Sequence, residues 1–213
     1  MKKFFLSILT LLILMFPAIC PAQETDIQLS KPDMSSGKLL MTVLNERSSH
    51  REFSDRELSP EHLSGLLWAA CGINRAETGK RTAPSAMNWQ DVQVYVFLKK
   101  GIYLYKEEEH KLVLIKEGDH RASAGSQVFV AGAPVNLVYV SDYNRMTKAT
   151  ESDKTFYSGI NTGFISQNVY LYCASEGLNT VVRAYIDRDA VHKLMNLKPE
   201  QHVVVAQTVG YKP

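Results

Sequence analysis

Apolar residues recur along the chain in two patterns, one with the three- to four-residue spacing of helices and one with the alternation of strands. The helical spacing predicts four main helices: one from Ser35 or Ser36 to Arg47, one from Ser59-Pro60 to Gly72, one over residues 158–176, and a short one capped by Asp187. Two shorter helices are predicted over residues 119–128 and 144–150. The strand pattern predicts strands over residues 92–98, 134–141, 179–186 and 202–209, and a hairpin of residues 101–105 and 112–115.

This order of helices and strands, with one hairpin and no internal repeat, predicts an α+β domain. Residues 23–34 are polar and contain a Lys-Pro step, which is typical of an extended arm. Residues 74–85 are rich in Arg, Lys, Thr and Gly and are predicted to form a loop. The helix over residues 158–176 is apolar around most of its circumference, which indicates burial at the centre of the domain or in a subunit interface.

The first 22 residues have the three-part pattern of a secretory signal peptide. A positive start at Lys2 and Lys3 precedes an apolar run over residues 4–16, and Ala22 is a small residue suited to cleavage. The alternative is a membrane anchor, which the shortness of the apolar run disfavours. We therefore expect an exported protein, periplasmic or secreted, whose mature part over residues 23–213 is a single domain without a membrane span.

The charge balance changes when the signal peptide is removed. The whole chain has 24 Lys and Arg against 22 Asp and Glu, but the first 22 residues contain two lysines and no acid. The mature part is therefore formally neutral and offers no overall attraction to nucleic acid. No Cys/His spacing resembles a metal site. Cys71 and Cys173 lie in apolar helical patterns, so they are either paired after export or buried as free thiols.

The segment from Arg47 to Arg51 combines two arginines with two serine hydroxyls directly after the first predicted helix. A guanidinium is a planar fork of donors that suits phosphate, and the hydroxyls of Ser48 and Ser49 can complete the phosphate contacts. The alternative is a helix that simply ends in a solvated cluster of charge.

A second candidate stretch, from Pro84 to Asn88, precedes a predicted strand. Ser85 and Ala86 are small and turn-forming, so the backbone here can approach a flat ligand closely. Asn88 can both donate and accept hydrogen bonds, which matches the mixed edge of a heterocycle. The alternative is a capped loop beside a core tryptophan, Trp89.

Taken together, these stretches resemble the family of nitroreductase-like FMN-dependent oxidoreductases. The matching residues occur in the family's order: Arg47, Ser49, Arg51 and Phe53; then Pro84, Ser85, Ala86, Asn88 and Gln90; then Gly163, Gln167, Asn168 and Leu171; then Gly177, Leu178, Thr180, Val181 and Val182. Asn179 departs from the family pattern, which usually has Gly there. The ending Val209-Gly210-Tyr211 is also similar to the family. Residues 101–142 most resemble the branch that contains the azoline-oxidising dehydrogenases of peptide maturation.

The resemblance implies a nitroreductase-like fold, a mixed but mostly antiparallel central sheet flanked by helices, and a homodimer that binds FMN between its subunits. It implies three groups of cofactor-binding residues: Arg47, Ser48, Ser49 and Arg51 at the phosphate and ribityl side, Pro84, Ser85, Ala86 and Asn88 at the ring, and the backbone N–H groups of Arg183 and Ala184 near the N5 edge. Lys212 could also reach the phosphate.

The resemblance further implies an oxidoreductase that transfers hydride through flavin N5 to or from a small aromatic or conjugated substrate, with NAD(P)H or another donor. The flavin carries this chemistry, and no pattern indicates a side-chain nucleophile, so no catalytic residue is expected. The alternative is an exported module with the same fold that binds flavin or a peptide without turnover. Arg183 stands where an apolar residue is common, so its guanidinium either lies against the flavin or is solvated.

Overall fold

The computed structural model describes residues 25–213. The predicted signal peptide over residues 1–22 lies outside these residues. The strands within the described part are β1 (Ile27–Gln28), β2 (Ile73–Arg75), β3 (Lys80–Arg81), β4 (Val92–Phe97), β5 (Gly101–Lys106), β6 (Lys111–Glu117), β7 (Val135–Asp142), β8 (Asn179–Arg183) and β9 (Gln201–Gly210). The α-helices are α1 (Leu40–Glu46), α2 (Pro60–Cys71), α3 (Phe129–Gly132), α4 (Glu151–Glu176) and α5 (Arg188–Leu194). Short 3-10 turns occur at Ala86–Asn88, Arg121–Ala124 and Tyr143–Arg145.

A seven-stranded sheet in the order β1-β6-β5-β4-β7-β9-β8 forms the centre of the structure, and β2 and β3 form a separate pair. Every strand pair that the structure describes is antiparallel. The prediction of an α+β fold with a mostly antiparallel central sheet flanked by helices is therefore confirmed.

The two faces of the sheet pack against two separate hydrophobic cores. On β4, Val94 and Val96 belong to the core beneath α2 and α4, whereas Tyr95 and Phe97 belong to the core beneath α5. This division follows from the pleat, because successive side chains of a strand point to opposite faces. From Val94 to Phe97 the strand is buried on both faces, and its residues there are accordingly all apolar.

The predicted start of the central helix was wrong by seven residues. The helix α4 begins at Glu151, because Thr150 forms a capping box in which its side chain accepts from Asp153 N and the Asp153 carboxylate accepts from Thr150 N. It ends at Gly177, whose φ of 71° is left-handed. The ends of α2 were predicted correctly, since Ser59 caps it and Gly72 follows it.

The first helix is shorter than predicted. It begins at Leu40, because Gly37 has a φ of 103° that is incompatible with a helix and Ser35 hydrogen-bonds to Asp33 instead of capping. Of the apolar face predicted for this helix, only Val43 is buried. The exposed members Leu39, Leu40 and Leu44 therefore lack a covering element within the described part of the chain.

The two short helices predicted over residues 119–128 and 144–150 were wrong, since only 3-10 turns form there. Gly125 has an extended backbone, and a Cβ at this position would overlap the guanidinium of Arg183. Lys148 has a left-handed φ of 66°, which interrupts the second stretch. The predicted loop over residues 74–85 contains the β2–β3 pair, and β8 ends at Arg183 instead of residue 186.

Two features are absent from residues 25–213: a membrane-spanning helix and a metal-binding cluster. None of the helices there combines the length and apolar character that crossing a membrane requires. Within the same residues, no group of His, Cys, Asp or Glu side chains is arranged to hold a metal ion.

Candidate functional site

The segment from Arg47 to Arg51 leaves the end of α1 and runs beside β8. The backbone N–H of His50 donates to the carbonyl oxygen of Thr180 at 3.0 Å, which fixes the segment against the strand. Arg51 is exposed and Arg47 is half-buried. Neither guanidinium forms an ion pair with a carboxylate of the described residues. Both are therefore available to an anion.

The side chain of Tyr170 on α4 connects this segment to β8. Its hydroxyl lies 2.8 Å from Ser49 Oγ and accepts a hydrogen bond of 2.9 Å from the backbone N–H of Val182. The Arg47 guanidinium carbon lies 5.3 Å from the centre of the Tyr170 ring, within the range of a cation–π contact. One residue thus positions a serine, an arginine and a strand end.

A cleft of about 390 Å³ opens beside the segment. From the segment itself, Ser48 and His50 line this cleft. Ser48 Oγ lies 2.7 Å from His50 Nε2. Lys212, near the end of the printed chain, lines the same cleft, as does Lys38, which is paired with Glu46. The structure therefore brings Ser48 and Lys212 together, two residues predicted from distant parts of the sequence.

The turn from Pro84 to Asn88 is anchored to a buried carboxylate through Asn161 of α4. The backbone N–H of Ala86 donates to Asn161 Oδ1 at 3.0 Å, and Asn161 Nδ2 donates to Asp91 Oδ1 at 2.7 Å. The other carboxylate oxygen of Asp91 accepts from Ser141 Oγ at 2.6 Å. At the start of the turn, Ser85 Oγ accepts from the N–H of Gln90 at 2.9 Å.

The backbone of this turn is held in a conformation that costs free energy. Met87, Asn88 and Gln90 have φ values of 50°, 53° and 49°, which lie in a left-handed region that residues other than glycine rarely adopt. Such positions persist only where the surroundings impose them, and they cluster at ligand-binding sites. Met87 is 82% exposed, and the side chain of Asn88 is also exposed, so the turn presents both to solvent.

Within one chain, the turn and the arginine segment meet α4 at separate levels. Asn161 and Tyr170 are nine residues apart on this helix, which places them about 14 Å apart along its axis. Pro84, Ser85, Ala86 and Asn88 therefore lie near one level of the helix, and the arginine segment lies near the other.

Arg183 occupies a position that neither predicted alternative describes. Its side chain is 4% exposed and donates to Thr208 Oγ1 at 2.9 Å, to the carbonyl oxygen of Ala124 at 2.7 Å and to Asn136 Oδ1 at 3.0 Å. The guanidinium is thus neither solvated nor presented at the surface. Burial lowers the pKa of Arg183 to about 10. Ala184, the next residue, is exposed at the end of β8.

Asn161, Asp91 and Tyr170 support the site but were not predicted. The position of Asp91 could have been predicted to matter, since it is a charged residue directly before an apolar strand. Tyr170 was assigned to the apolar surface of the long helix, and nothing in its local sequence indicates that its hydroxyl is used. Trp89 packs edge-on against Tyr157 of α4, with ring centres 5.6 Å apart.

The family model described as the nitroreductase family matches residues 44–211 of the chain. A relative from Methanocaldococcus jannaschii, which carries a provisional nitroreductase name, is 32% identical over 197 residues that cover 87% of this chain and 97% of the relative. A crystal structure from Ralstonia eutropha, of a protein also provisionally named a nitroreductase, aligns with a TM-score of 0.85 and 39% identity over 89% of this chain and 90% of that one.

Two further solved structures are similar at lower identity, where the likeness shows the fold alone. The NADPH:FMN oxidoreductase of Vibrio harveyi, solved with NAD+, aligns with a TM-score of 0.61 and 19% identity over 81% of this chain and 68% of that one. The Escherichia coli microcin synthetase complex aligns with a TM-score of 0.67 and 18% identity over 99% and 85%. The assignment of residues 101–142 to the azoline-oxidising branch stays a prediction.

Proposed function

The chain belongs to the nitroreductase family, and on that premise we propose that it is an exported, FMN-dependent oxidoreductase. It would transfer hydride to or from a small aromatic or conjugated substrate, with NAD(P)H or another compound as the donor. The observation that carries this function is the arginine segment, which Tyr170 and Thr180 hold beside β8 and whose two arginines have no carboxylate partner among the described residues.

The residues present fit the FMN phosphate. Arg47 and Arg51 have no carboxylate partner among the described residues, and charge-assisted bonds to phosphate are the strongest available to them. The hydroxyl of Ser48 and the ammonium of Lys212 add donors in the adjoining cleft, and the hydroxyl of Ser49 adds one beside Tyr170. We assign the phosphate and ribityl contacts to these five residues.

For the flavin ring, we propose contacts from Pro84, Ser85, Ala86 and Asn88, and from the backbone N–H groups of Arg183 and Ala184. The anchoring of Ala86 by Asn161 fixes the turn before the ring binds, which reduces the entropy lost on binding. Trp89 is engaged with Tyr157, and this supports an enzyme with space for substrate over a binding module without turnover.

We further propose a homodimer in which the turn of one subunit completes the cleft of the other. The separation of about 14 Å between Asn161 and Tyr170 along α4 supports contributions from two chains. Leu40 and Met41 of α1 and Phe156 of α4 are more than half exposed, and exposed apolar side chains of this size mark interaction surfaces.

The flavin, when bound, supplies the hydride chemistry. The residues of this chain bind the phosphate, hold the ring against the turn and β8, and exclude water where the subunits meet. The donor and the acceptor would stack in succession over the open ring face. The signal peptide over residues 1–22 and release to the periplasm or the medium are part of the same proposal.

The test begins with the visible spectrum of the mature protein after reconstitution with FMN. We expect a yellow, fluorescence-quenched dimer by light scattering. Stopped-flow mixing with NADH, NADPH or dithionite, followed by a nitroarene or a quinone, should bleach the flavin and then re-oxidise it faster than oxygen does. If dithionite bleaches the flavin but none of the organic acceptors re-oxidises it, the binding module is the better description. A protein that retains no FMN contradicts the oxidoreductase and the flavin-binding module, and leaves only a module that binds a peptide.

A further inference from the structure

The guanidinium of Arg183 is a buried positive charge whose three acceptors are all neutral. They are a threonine hydroxyl, a backbone carbonyl and an asparagine amide oxygen, from Thr208, Ala124 and Asn136. No carboxylate of the described residues forms an ion pair with it. The charge is therefore satisfied by hydrogen bonds to the protein but is not neutralised by an opposite charge.

The surroundings are shaped to hold this charge in one place. Thr208 Oγ1 donates to Asn136 Oδ1 at 2.7 Å, and Asn136 Nδ2 donates to the carbonyl oxygen of Val130 at 2.9 Å, so both acceptors are themselves fixed. Gly125 leaves the space that the guanidinium fills, since a Cβ there would overlap it. Because three chain segments converge on one side chain, the guanidinium has little freedom to move.

An isolated buried charge is costly, and an apolar side chain of similar length is usually tolerated at least as well in such a position. Burial lowers the pKa of Arg183 to about 10, yet this value leaves the group protonated at neutral pH. A positive charge without a counter-charge exerts an electric field on neighbouring groups. This field is strong, since burial reduces screening by solvent and salt.

The charge belongs to the strand that supports the candidate site, and it lies against Thr208, the partner of Val181 on that strand. Thr180 of β8 accepts the N–H of His50, and Val182 donates to Tyr170, which contacts the arginine segment. Arg183 is the last residue of this strand, and the exposed Ala184 follows it. The proposed function assigns the backbone of these two residues to the reactive edge of the flavin.

We propose that Arg183 is a positioning residue that tunes the bound flavin through its electric field, without touching it, and favours the reduced cofactor over the oxidised one. This role rests on the proposed function. Hydride transfer from a nicotinamide donor moves two electrons and one proton, so the donor becomes its cation and the ring gains one negative charge. A fixed positive charge close to the ring would stabilise the charged product and raise the reduction potential.

The test compares the flavin midpoint potential of the FMN-loaded dimer with those of Arg183→Met and Arg183→Lys, each equilibrated with a reference dye at pH 7. Arg183→Met should raise the ratio of oxidised to reduced flavin at a fixed potential by at least tenfold, which is about 30 mV for a two-electron couple. Arg183→Lys keeps the charge and should change the ratio less than threefold. Titration with oxidised FMN checks each variant, since a purely structural role would weaken both redox states equally.

Asn136→Asp provides an independent variant in case Arg183→Met does not fold. It is isosteric and places a carboxylate against Arg183 Nη2, so it neutralises the charge and should shift the ratio in the same direction as Arg183→Met. Ratios within twofold of the wild-type value in the folded variants would overturn the role of Arg183 and leave the proposed function intact. A wild-type protein that does not bind FMN would overturn the proposed function itself, before any variant is compared.

Discussion

Ser49 and Tyr170 are 121 residues apart in the sequence, and their side-chain oxygens lie 2.8 Å apart in the structure. The same Tyr170 hydroxyl accepts from Val182 N at 2.9 Å. The Tyr170 hydroxyl thus links the arginine segment to both the central helix α4 and the edge strand β8. Together with the bond from His50 N to the Thr180 carbonyl oxygen, this contact gives the segment a fixed position.

Tyr170→Phe should therefore weaken FMN binding without removing any proposed ligand. The variant leaves Ser49 and Val182 N without a partner, and a hydrogen bond of this kind contributes about 0.5–1.5 kcal/mol, so the FMN dissociation constant should rise about two- to tenfold. Quenching of FMN fluorescence measures the constant. Tyr172→Phe is the matched control, because that tyrosine is on the same helix but lines a different groove. Equal affinities in the two variants would contradict the role of Tyr170.

Replacing Arg47 and Arg51 together by Ala should affect FMN far more than riboflavin. Each charge-assisted hydrogen bond contributes about 1.5–3 kcal/mol, so FMN should bind at least about a hundredfold more weakly. Riboflavin lacks the phosphate and should lose much less. Parallel titrations with the two flavins measure the difference, and Arg75→Ala, an exposed arginine of the β2–β3 pair, serves as the control. A similar loss for both flavins would show that the arginines do not bind the phosphate.

Asn161→Ala should destabilise the fold, since it leaves the buried Asp91 carboxylate with one donor fewer and removes the acceptor of Ala86 N. An unsatisfied buried polar group costs about 1–3 kcal/mol. The midpoint of urea unfolding should fall at unchanged slope. Asn144→Ala removes an exposed amide that donates to Glu200 and should change the midpoint little. If both variants unfold at the same urea concentration, the Asp91 contact is unimportant.

The parts of the fold that the sequence predicts correctly are those with local signals. Ser59 and Gly72 bound α2 through capping chemistry, and the buried strands are visible from their apolar patterns. One of the failures has a distant cause. Gly125 breaks a helical pattern because Arg183, 58 residues later, fills the space beside it. The residues of the candidate site also differ in how predictable they are. Arg47 is recognisable from its sequence neighbours, whereas the role of Tyr170 depends on its contact with Ser49, 121 residues away.

The two cysteines should remain free and react slowly. Cys71 and Cys173 are both buried and unpaired, and burial raises the pKa of each thiol well above its ordinary value. Alkylation at about pH 8 should be at least about a hundredfold slower in the folded protein than in the unfolded chain. Peptide mapping after iodoacetamide treatment, with a guanidinium-unfolded control, measures each site separately. A disulfide-linked peptide, or rapid labelling of either residue in the folded protein, would contradict this prediction.

The N-terminal arm should detach as the pH falls, because its attachment depends on a neutral His110. The strand β1 pairs with β6 through only two residue pairs, and the arm continues with a bond from Leu29 N to the carbonyl oxygen of His110. The His110 ring adds contacts from Nε2 to the Ser30 carbonyl oxygen at 3.0 Å and from Nδ1 to the Tyr105 hydroxyl at 2.8 Å. A neutral ring satisfies both, since it donates from Nε2 and accepts at Nδ1.

Burial lowers the pKa of His110 below its ordinary 6.5. His110 therefore binds the proton more readily when the arm is detached, so the stabilisation of docking that is present above 6.5 is lost progressively as the pH falls below it. Hydrogen exchange of the Leu29 amide, corrected for its intrinsic rate, should show protection that decreases between about pH 7.5 and 5. His110→Gln should lower protection at every pH and remove this dependence, whereas His120→Gln, in the loop after β6, should leave it unchanged. A pH dependence that persists unchanged in His110→Gln would assign it to another group.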